Sequence, residues 1–336
     1  MRNSKVTLAD VAAEAEVSTI TVSRALNRPE IVSEQVRKRV RDAVGRLGYV
    51  PNQAARLLAS GRSNVIGVVI PSISNNVFTD VLRGIYEAVE ATPFEIQLAN
   101  ARYKPEREES LLRIFAAQRP AGLIVAGIDQ TEAARGILDT LDAPVVQIME
   151  IGADPVDMAI GFSQGDAAAA ATAHLIAQGY RRPGFLGARL DPRTRRRFEG
   201  FRRACEAKGL FDPDCMETTE QASSIQLGGE LLAALLTRRP ETDAVFCNND
   251  DIAIGALFEA HRRGIAVPER LGICGFNDLE IVRHSVPAVT SVATPLYEMG
   301  RGAVELIAAR LKGEDQPEPV RDMGFRLMAR DSTQRR

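Results

Sequence analysis

Thr19, Ile20, Ser23 and Arg24 stand together on the outer face of the stretch Ser18 to Asn27, while Val22, Ala25 and Leu26 turn inward. Such a mixed outer face can meet base edges. A guanidinium such as that of Arg24 donates two parallel bonds to guanine O6 and N7, and the Ile20 side chain can meet a thymine methyl. The alternatives are a phosphate contact for Arg24 and a helix-packing role for Ile20. Ser18, Ser23 and Thr7 suit phosphates, which position a module without reading sequence. A second chemical cluster lies far downstream. Nine arginines fall between Arg181 and Arg203, including Arg189, Arg193, Arg195, Arg196 and Arg197. Planar guanidinium forks match carboxylates, although most surface arginines in such a run are solvated or paired.

The first cluster needs a rigid helix behind it. Thr7 and Asp10 have the spacing of a reciprocal cap for a first helix whose apolar face is Leu8, Val11, Ala12 and Ala15. Ser18 can cap the second helix, with Val17 and Val22 at staple positions. Two short helices and a tight turn make a helix-turn-helix, whose second helix lies in a major groove. Ser33 can cap a third helix with Val36, Val40, Val44 and Leu47 inward, and Gly48 can close it. This predicts a headpiece over 1–48. A segment over 49–62 follows, with a short helix between Pro51 and Gly61 that orders only with a partner.

From Asn64 the texture changes to short apolar runs alternating with helical patterns. Strands are expected at 65–70, 95–98, 122–125, 145–148, 158–162, 184–187, 244–247, 272–276 and 291–293. Helices are expected near 78–91, 105–118, 131–141, 165–178, 195–208, 225–238, 251–263 and 295–312. Repeated βα units imply α/β architecture with parallel sheets covered on both faces. Their number exceeds one compact sheet and points to two similar lobes, with ligands bound beyond the carboxyl ends of the strands.

The 336 residues carry a net charge of −2, but residues 1–62 hold 11 Lys and Arg against 6 Asp and Glu, so the basic head sits on an acidic body. That asymmetry fits a nucleic-acid contact confined to one end. No apolar run approaches a membrane span, and no secretory signal opens the chain, so a cytoplasmic location is expected. Cys205, Cys215, Cys247 and Cys274 lack zinc spacing; Cys247 and Cys274 read as buried small hydrophobes. No GxGxxG follows a first strand, no GxxxxGK[ST] loop appears, and His174, His261 and His284 form no catalytic set, which argues against an enzyme and for no cofactor. A secreted sugar-binding component is disfavoured by the helix-turn-helix standing where a signal peptide would be.

The motifs VTLADVAAEAEVSTITVSRALN, GYVPNQAARLLASG, NVIGVVIPSISNNVF, RRRFEGF, CNNDDIAIGA and ICGFNDLEI together resemble the LacI/GalR family of bacterial transcription repressors over nearly the whole chain. NNVFTDVLRGI, YKPE, GFLGARLDPRT and DAVFCNNDD are most similar to its gluconate-utilisation repressors. The resemblance implies a three-helix headpiece plus hinge helix on a two-lobed core like periplasmic sugar-binding proteins, covering 63–334. Three crossings would divide it into a first lobe of about 63–161 and 293–320 and a second of about 162–292 and 321–334. It further implies a homodimer on a near-palindromic operator, without the leucine-heptad tail that makes some relatives tetrameric.

Thr19 and Ile20 match the positions where the family reads its operator. Leu58 matches the residue wedged into the minor groove, though Leu57 and Leu58 can also simply pack between paired hinge helices. Asn52, Ala55 and Arg56 match the hinge pattern facing the minor groove or backbone. For the effector, the resemblance places Arg197, three residues before Gly200-Phe201, in the ligand cleft; Arg193, in the same arginine run, is a further candidate. Asn249 and Asn277 match further cleft positions; sugar-binding members carry Asp where this chain has Asn277. An amide still binds hydroxyls and removes repulsion toward an anion. Ser72, Asn75, Phe78 and Glu150 would line the first lobe's side, with Phe78 also a candidate core residue and Asp250 a structural one. The expected function is repression of sugar-acid metabolism genes, relieved by a sugar acid such as gluconate. 2-Ketogluconate, other aldonates, a neutral sugar or a co-repressor response are the alternatives.

Overall fold

The computed structural model describes residues 6–27, 29–50, 62–314 and 318–335. The chain forms two compact units, Met1–Ser63 and Asn64–Arg336. In the first, α1 (Leu8–Glu14), α2 (Thr19–Asn27) and α3 (Glu34–Leu47) enclose a small core of Val11, Ala12, Ala15, Val22, Val40 and Ala43. The Thr7 amide donates to Asp10 Oδ2 at 2.8 Å and the Asp10 amide to Thr7 Oγ1 at 3.3 Å, closing the capping box. The turn between α1 and α2 holds Glu16 at φ +53°, a region that ordinarily favours glycine. Gly48 ends α3 at φ +62°. Ser33 occupies the N-cap of α3 but its side chain makes no capping bond, contrary to expectation. The expected hinge helix, with Asn52, Ala55, Arg56 and Leu58, lies outside the described residues.

The second unit contains twelve strands among its described residues. They are β1 (Val65–Ile70), β2 (Glu95–Asn100), β3 (Gly122–Ala126), β4 (Val145–Ile148), β5 (Met158–Gly161), β6 (Pro183–Ala188), β7 (Met216–Thr219), β8 (Ala244–Cys247), β9 (Gly272–Asn277), β10 (Thr290–Ala293), β11 (Val320–Asp322) and β12 (Arg326–Met328). Two six-stranded sheets result, ordered β11-β5-β4-β3-β1-β2 and β12-β10-β9-β8-β6-β7. All pairs are parallel except β10 with β12. The central strands are apolar and buried because helices cover both faces. Those helices are α4 (Val77–Val89), α5 (Pro105–Ala117), α6 (Glu132–Asp139), α7 (Gln164–Ala177), α8 (Pro192–Glu206), α9 (Ile225–Arg238), α10 (Asp250–Arg262), α11 (Glu280–His284) and α12 (Leu296–Leu311).

The chain passes between lobes after β5, after β10 and between β11 and β12. Because β11 pairs with β5, the last passage follows Asp322, two residues beyond the expected Val320. The final segment is sewn into the second lobe: Ser332 Oγ donates to the Ile273 carbonyl at 2.6 Å and accepts from the Thr290 amide at 2.8 Å. The four cysteines are free and buried. Among the described residues no helix is long and apolar enough to cross a membrane.

Candidate functional site

In the headpiece, Thr19, Ile20 and Arg24 are exposed on α2, with Ser23 partly covered beside them. Ile20 is 62% exposed while Val22, two residues on, is fully buried. Ile20 therefore takes no part in the headpiece core, which removes the packing alternative within this unit. Ser18 Oγ accepts the Thr21 amide at 3.1 Å and caps α2. The Thr7 hydroxyl donates to Asp10 Oδ2 at 2.7 Å, and this bond with the Thr7 amide holds the Asp10 carboxyl below its usual range. Both proposed phosphate ligands thus also serve as caps.

In the second unit, loops at the carboxyl ends of the strands converge on a cavity of about 30 Å³ between the lobes. It brings together Asn75, Arg193, Arg197, Asn249 and Asn277 from the expected set, with Tyr103, Arg189, Asp191, Thr194, Ser223 and Asn248. The backbone around it is strained. Arg102 and Tyr103 after β2, Met149 after β4, Arg189 after β6 and Asn277-Asp278 at the end of β9 all have φ between +51° and +107°. Non-glycine residues in this region cluster where surrounding structure must aim side chains at a site.

Arg197 is almost fully buried. Its Nε donates to Gln164 Oε1 at 2.7 Å, its Nη1 donates to the Asn248 carbonyl, and its guanidinium stacks 3.8 Å from the Phe276 ring centre. Burial, then repulsion from Arg193, pulls its pKa down to about 9. Arg193 lies over the Phe78 ring and pairs with Asp191 at 3.3 Å. Burial opposes its charge, but Asp191 and Tyr103 together outweigh this and leave its pKa raised. Asp191 caps α8 by accepting the Thr194 amide at 2.8 Å. Although burial disfavours its charge, Arg193 and that bond hold its pKa below the usual value. Arg189 stacks on Tyr103 at 3.9 Å, one residue from each lobe. Three guanidinium groups thus line the cavity against one carboxylate.

Several neutral groups fix this arrangement. Helix α8 is pressed onto α7 at Gly200, where a Cβ would collide with the Gly165 carbonyl. Asn248 donates to the Ala188 carbonyl at 2.9 Å and to Thr194 Oγ1 at 3.0 Å, tying β6 to the start of α8. Asn249 caps α10 and donates to Ser223 Oγ at 2.6 Å. Asn75 donates to the Tyr103 hydroxyl at 3.0 Å. The Asn277 amide oxygen is buried with no hydrogen-bond partner, a costly condition that a donor in the cavity would relieve.

Three expected residues are not brought to the lining. Ser72 bonds to Ser74 at the end of β1. Phe78 is fully buried in the core, touching the site only through Arg193. Glu150 accepts the Ile151 amide at 3.1 Å and faces Arg196 instead. Asp250 is structural: its two oxygens accept from Leu279 N and Ser291 Oγ, both at 2.7 Å, bracing the Asn277-Asp278 turn. Burial raises its pKa to about 6. Tyr103, Asp191, Thr194, Ser223 and Asn248 were missed. All but Thr194 lie in loops between a strand and the helix that follows, a positional signal the strand pattern carried for Tyr103, Asp191 and Asn248.

A profile of the LacI family of bacterial regulatory proteins matches residues 7–52, and a periplasmic binding protein-like domain matches 172–333. The HTH-type transcriptional regulator GntR of Pseudomonas aeruginosa is 43% identical over 327 residues, 97% of this chain and 95% of its own length. A LacI-family regulator from Silicibacter pomeroyi superposes with a TM-score of 0.92 at 37% identity, covering 98% of this chain and all of that one. A lac repressor dimer bound to operator superposes at 0.84 over 98% of this chain and 99% of that one; at 24% identity it supports the fold alone. The chain is a member of the LacI family, a DNA-binding transcriptional regulator.

Proposed function

We propose that the protein is a homodimeric repressor whose ligand is a sugar acid such as gluconate, acting in the cytoplasm on sugar-acid metabolism genes. The observation that carries the ligand class is the imbalance of three guanidinium groups to one carboxylate around the cavity. A ligand carboxylate would sit between Arg193 and Arg197 and relieve their mutual repulsion. Its hydroxyls would donate to Asn277 Oδ1 and exchange bonds with Asn249 and Ser223. The room between these side chains holds about two waters, so a sugar acid must part Arg189 from Tyr103 on entering.

On DNA, Thr19, Ile20 and Arg24 read one half-site per protomer, while Ser18, Ser23 and Thr7 hold phosphates. Asn52, Ala55, Arg56 and Leu58 of paired hinges meet the central minor groove of a near-palindromic operator. Sugar acid bound between the lobes favours one lobe arrangement, and only that preference can shift the hinges and release DNA.

The test is thermal unfolding of the full chain with gluconate, 2-ketogluconate and glucose at equal concentration. A ligand at about 100 times its Kd adds about 2.7 kcal/mol. Stabilisation by the acids and not by glucose is expected. Preferential stabilisation by glucose overturns the acid assignment.

A further inference from the structure

Arg196 lies on α8 of the second lobe, one residue from Arg197, yet points away from the cavity. Its Nη1 and Nη2 donate to Asp129 Oδ2 and Oδ1 at 2.8 and 2.6 Å. Asp129 follows β3 in the first lobe, so this two-point bond joins the lobes. A second first-lobe carboxylate, Glu150, lies 3.6 Å from Arg196 Nε, with its side chain only 3% exposed. Its Oε2 has no hydrogen-bond partner; Arg196 is the cation within ion-pair distance, with Arg197 a weaker influence on the same carboxylate. We propose that Arg196 is a clasp that holds the lobes closed through Asp129 and Glu150, and so positions the cavity without touching its occupant.

The geometry supports a clasp over an incidental surface pair. A bidentate guanidinium–carboxylate bond fixes angle as well as distance, and so constrains how one lobe is set against the other. Asp129 and Arg196 side chains are each about one-third exposed, so the bond is reachable by water and can break. Helix α8 carries Arg196 together with the cavity residues Arg193 and Arg197, so the distance between Asp129 and the first turns of α8 tracks the opening of the cavity. The remaining charged group facing Arg196 is Asp191, on its own lobe. A protein whose binding-competent arrangement is only partly populated shows a proportionally weaker apparent affinity.

This inference rests on the inter-lobe ligand site proposed above, and its test separates the two. Spin labels at Ala133→Cys and Lys208→Cys, one exposed site per lobe, report the inter-lobe distance in the full chain, diluted with unlabelled protein so that only distances within one chain are read. Asp129→Asn and Arg196→Gln should each lengthen and broaden that distance without any ligand present. An unchanged distance in both overturns the clasp, whatever the protein binds. Calorimetry with gluconate then reads the coupling. Each single change should weaken binding by about tenfold, Arg196→Lys by less, and the double variant by no more than Arg196→Gln alone. Losses that simply multiply in the double variant show that the two residues act separately and also overturn it. Failure of the unaltered protein to bind gluconate would strike the ligand assignment and leave the distance result to decide the clasp.

Discussion

The two lobes carry sheets of the same strand order, but they meet the cavity with opposite chemistry. The second lobe contributes Arg189, Arg193, Arg197 and Asp191, with Asp250 buried behind them. The first contributes Asn75, Tyr103 and the Phe78 ring beneath Arg193. Its carboxylates, Asp129 and Glu150, face Arg196 outside the cavity. One lobe therefore holds fixed charge, braced by helix packing at Gly200, while the other supplies neutral surface and the groups that hold the lobes together. On the proposed ligand assignment, recognition of an anion and closure around it are divided between two copies of one architecture.

The sharpest way to break this contrast is Arg197→Ala. It removes one guanidinium and strands Gln164 and the Asn248 carbonyl, both buried. Gluconate affinity should fall by more than about 100-fold, and stability by about 2 kcal/mol. Calorimetry and denaturant unfolding read the two losses separately, and retained binding would deny the second lobe its charged role.

A smaller effect is expected from pH. Asp250 has a folded pKa of about 6 against 3.8 for the free group. Between these values the folded state holds more proton than the unfolded, so this group's contribution to stability falls as pH rises from about 4 to 6. Two pKa units correspond to about 2–3 kcal/mol. Asp250→Asn should remove that slope from the pH profile of unfolding, leaving the opposing slope from Asp191, whose pKa is lowered. The smallest effect is expected on the first lobe: Asn75→Ala should weaken gluconate by no more than about tenfold, with stability unchanged within about 0.5 kcal/mol. A loss there as large as that for Arg197 would erase the division of labour.

The central strands were legible because burial on both faces demands unbroken apolar runs, as in VIGVVI of β1 and AVFC of β8. The strands METT, VRD and RLM were not, because partly exposed edge strands need no such run. The site divides the same way. Arg197, Asn249 and Asn277 sit at motif positions that the resemblance assigns to the cleft, whereas Tyr103 and Asn248, though inside YKPE and CNNDDIAIGA, carry no such assignment, and Tyr103 meets Ser223 and Asn248 only through folding of segments over a hundred residues apart. Glu150 stands at the expected strand end, but it accepts the Ile151 amide and faces Arg196 of the other lobe instead of the cavity, and no local pattern encodes that pairing. The hinge residues matched by motif lie outside the described residues.

Ser332 and the strands β11 and β12 place the completion of both lobes within residues 320–333. A ribosome delivers these residues some 270 residues after the headpiece, which has its own small core. During synthesis the part that grips DNA can therefore be finished while the two-lobed unit is still a partial sheet. Each newborn chain passes through an interval in which a finished headpiece is tethered to sheets that still lack their outer strands.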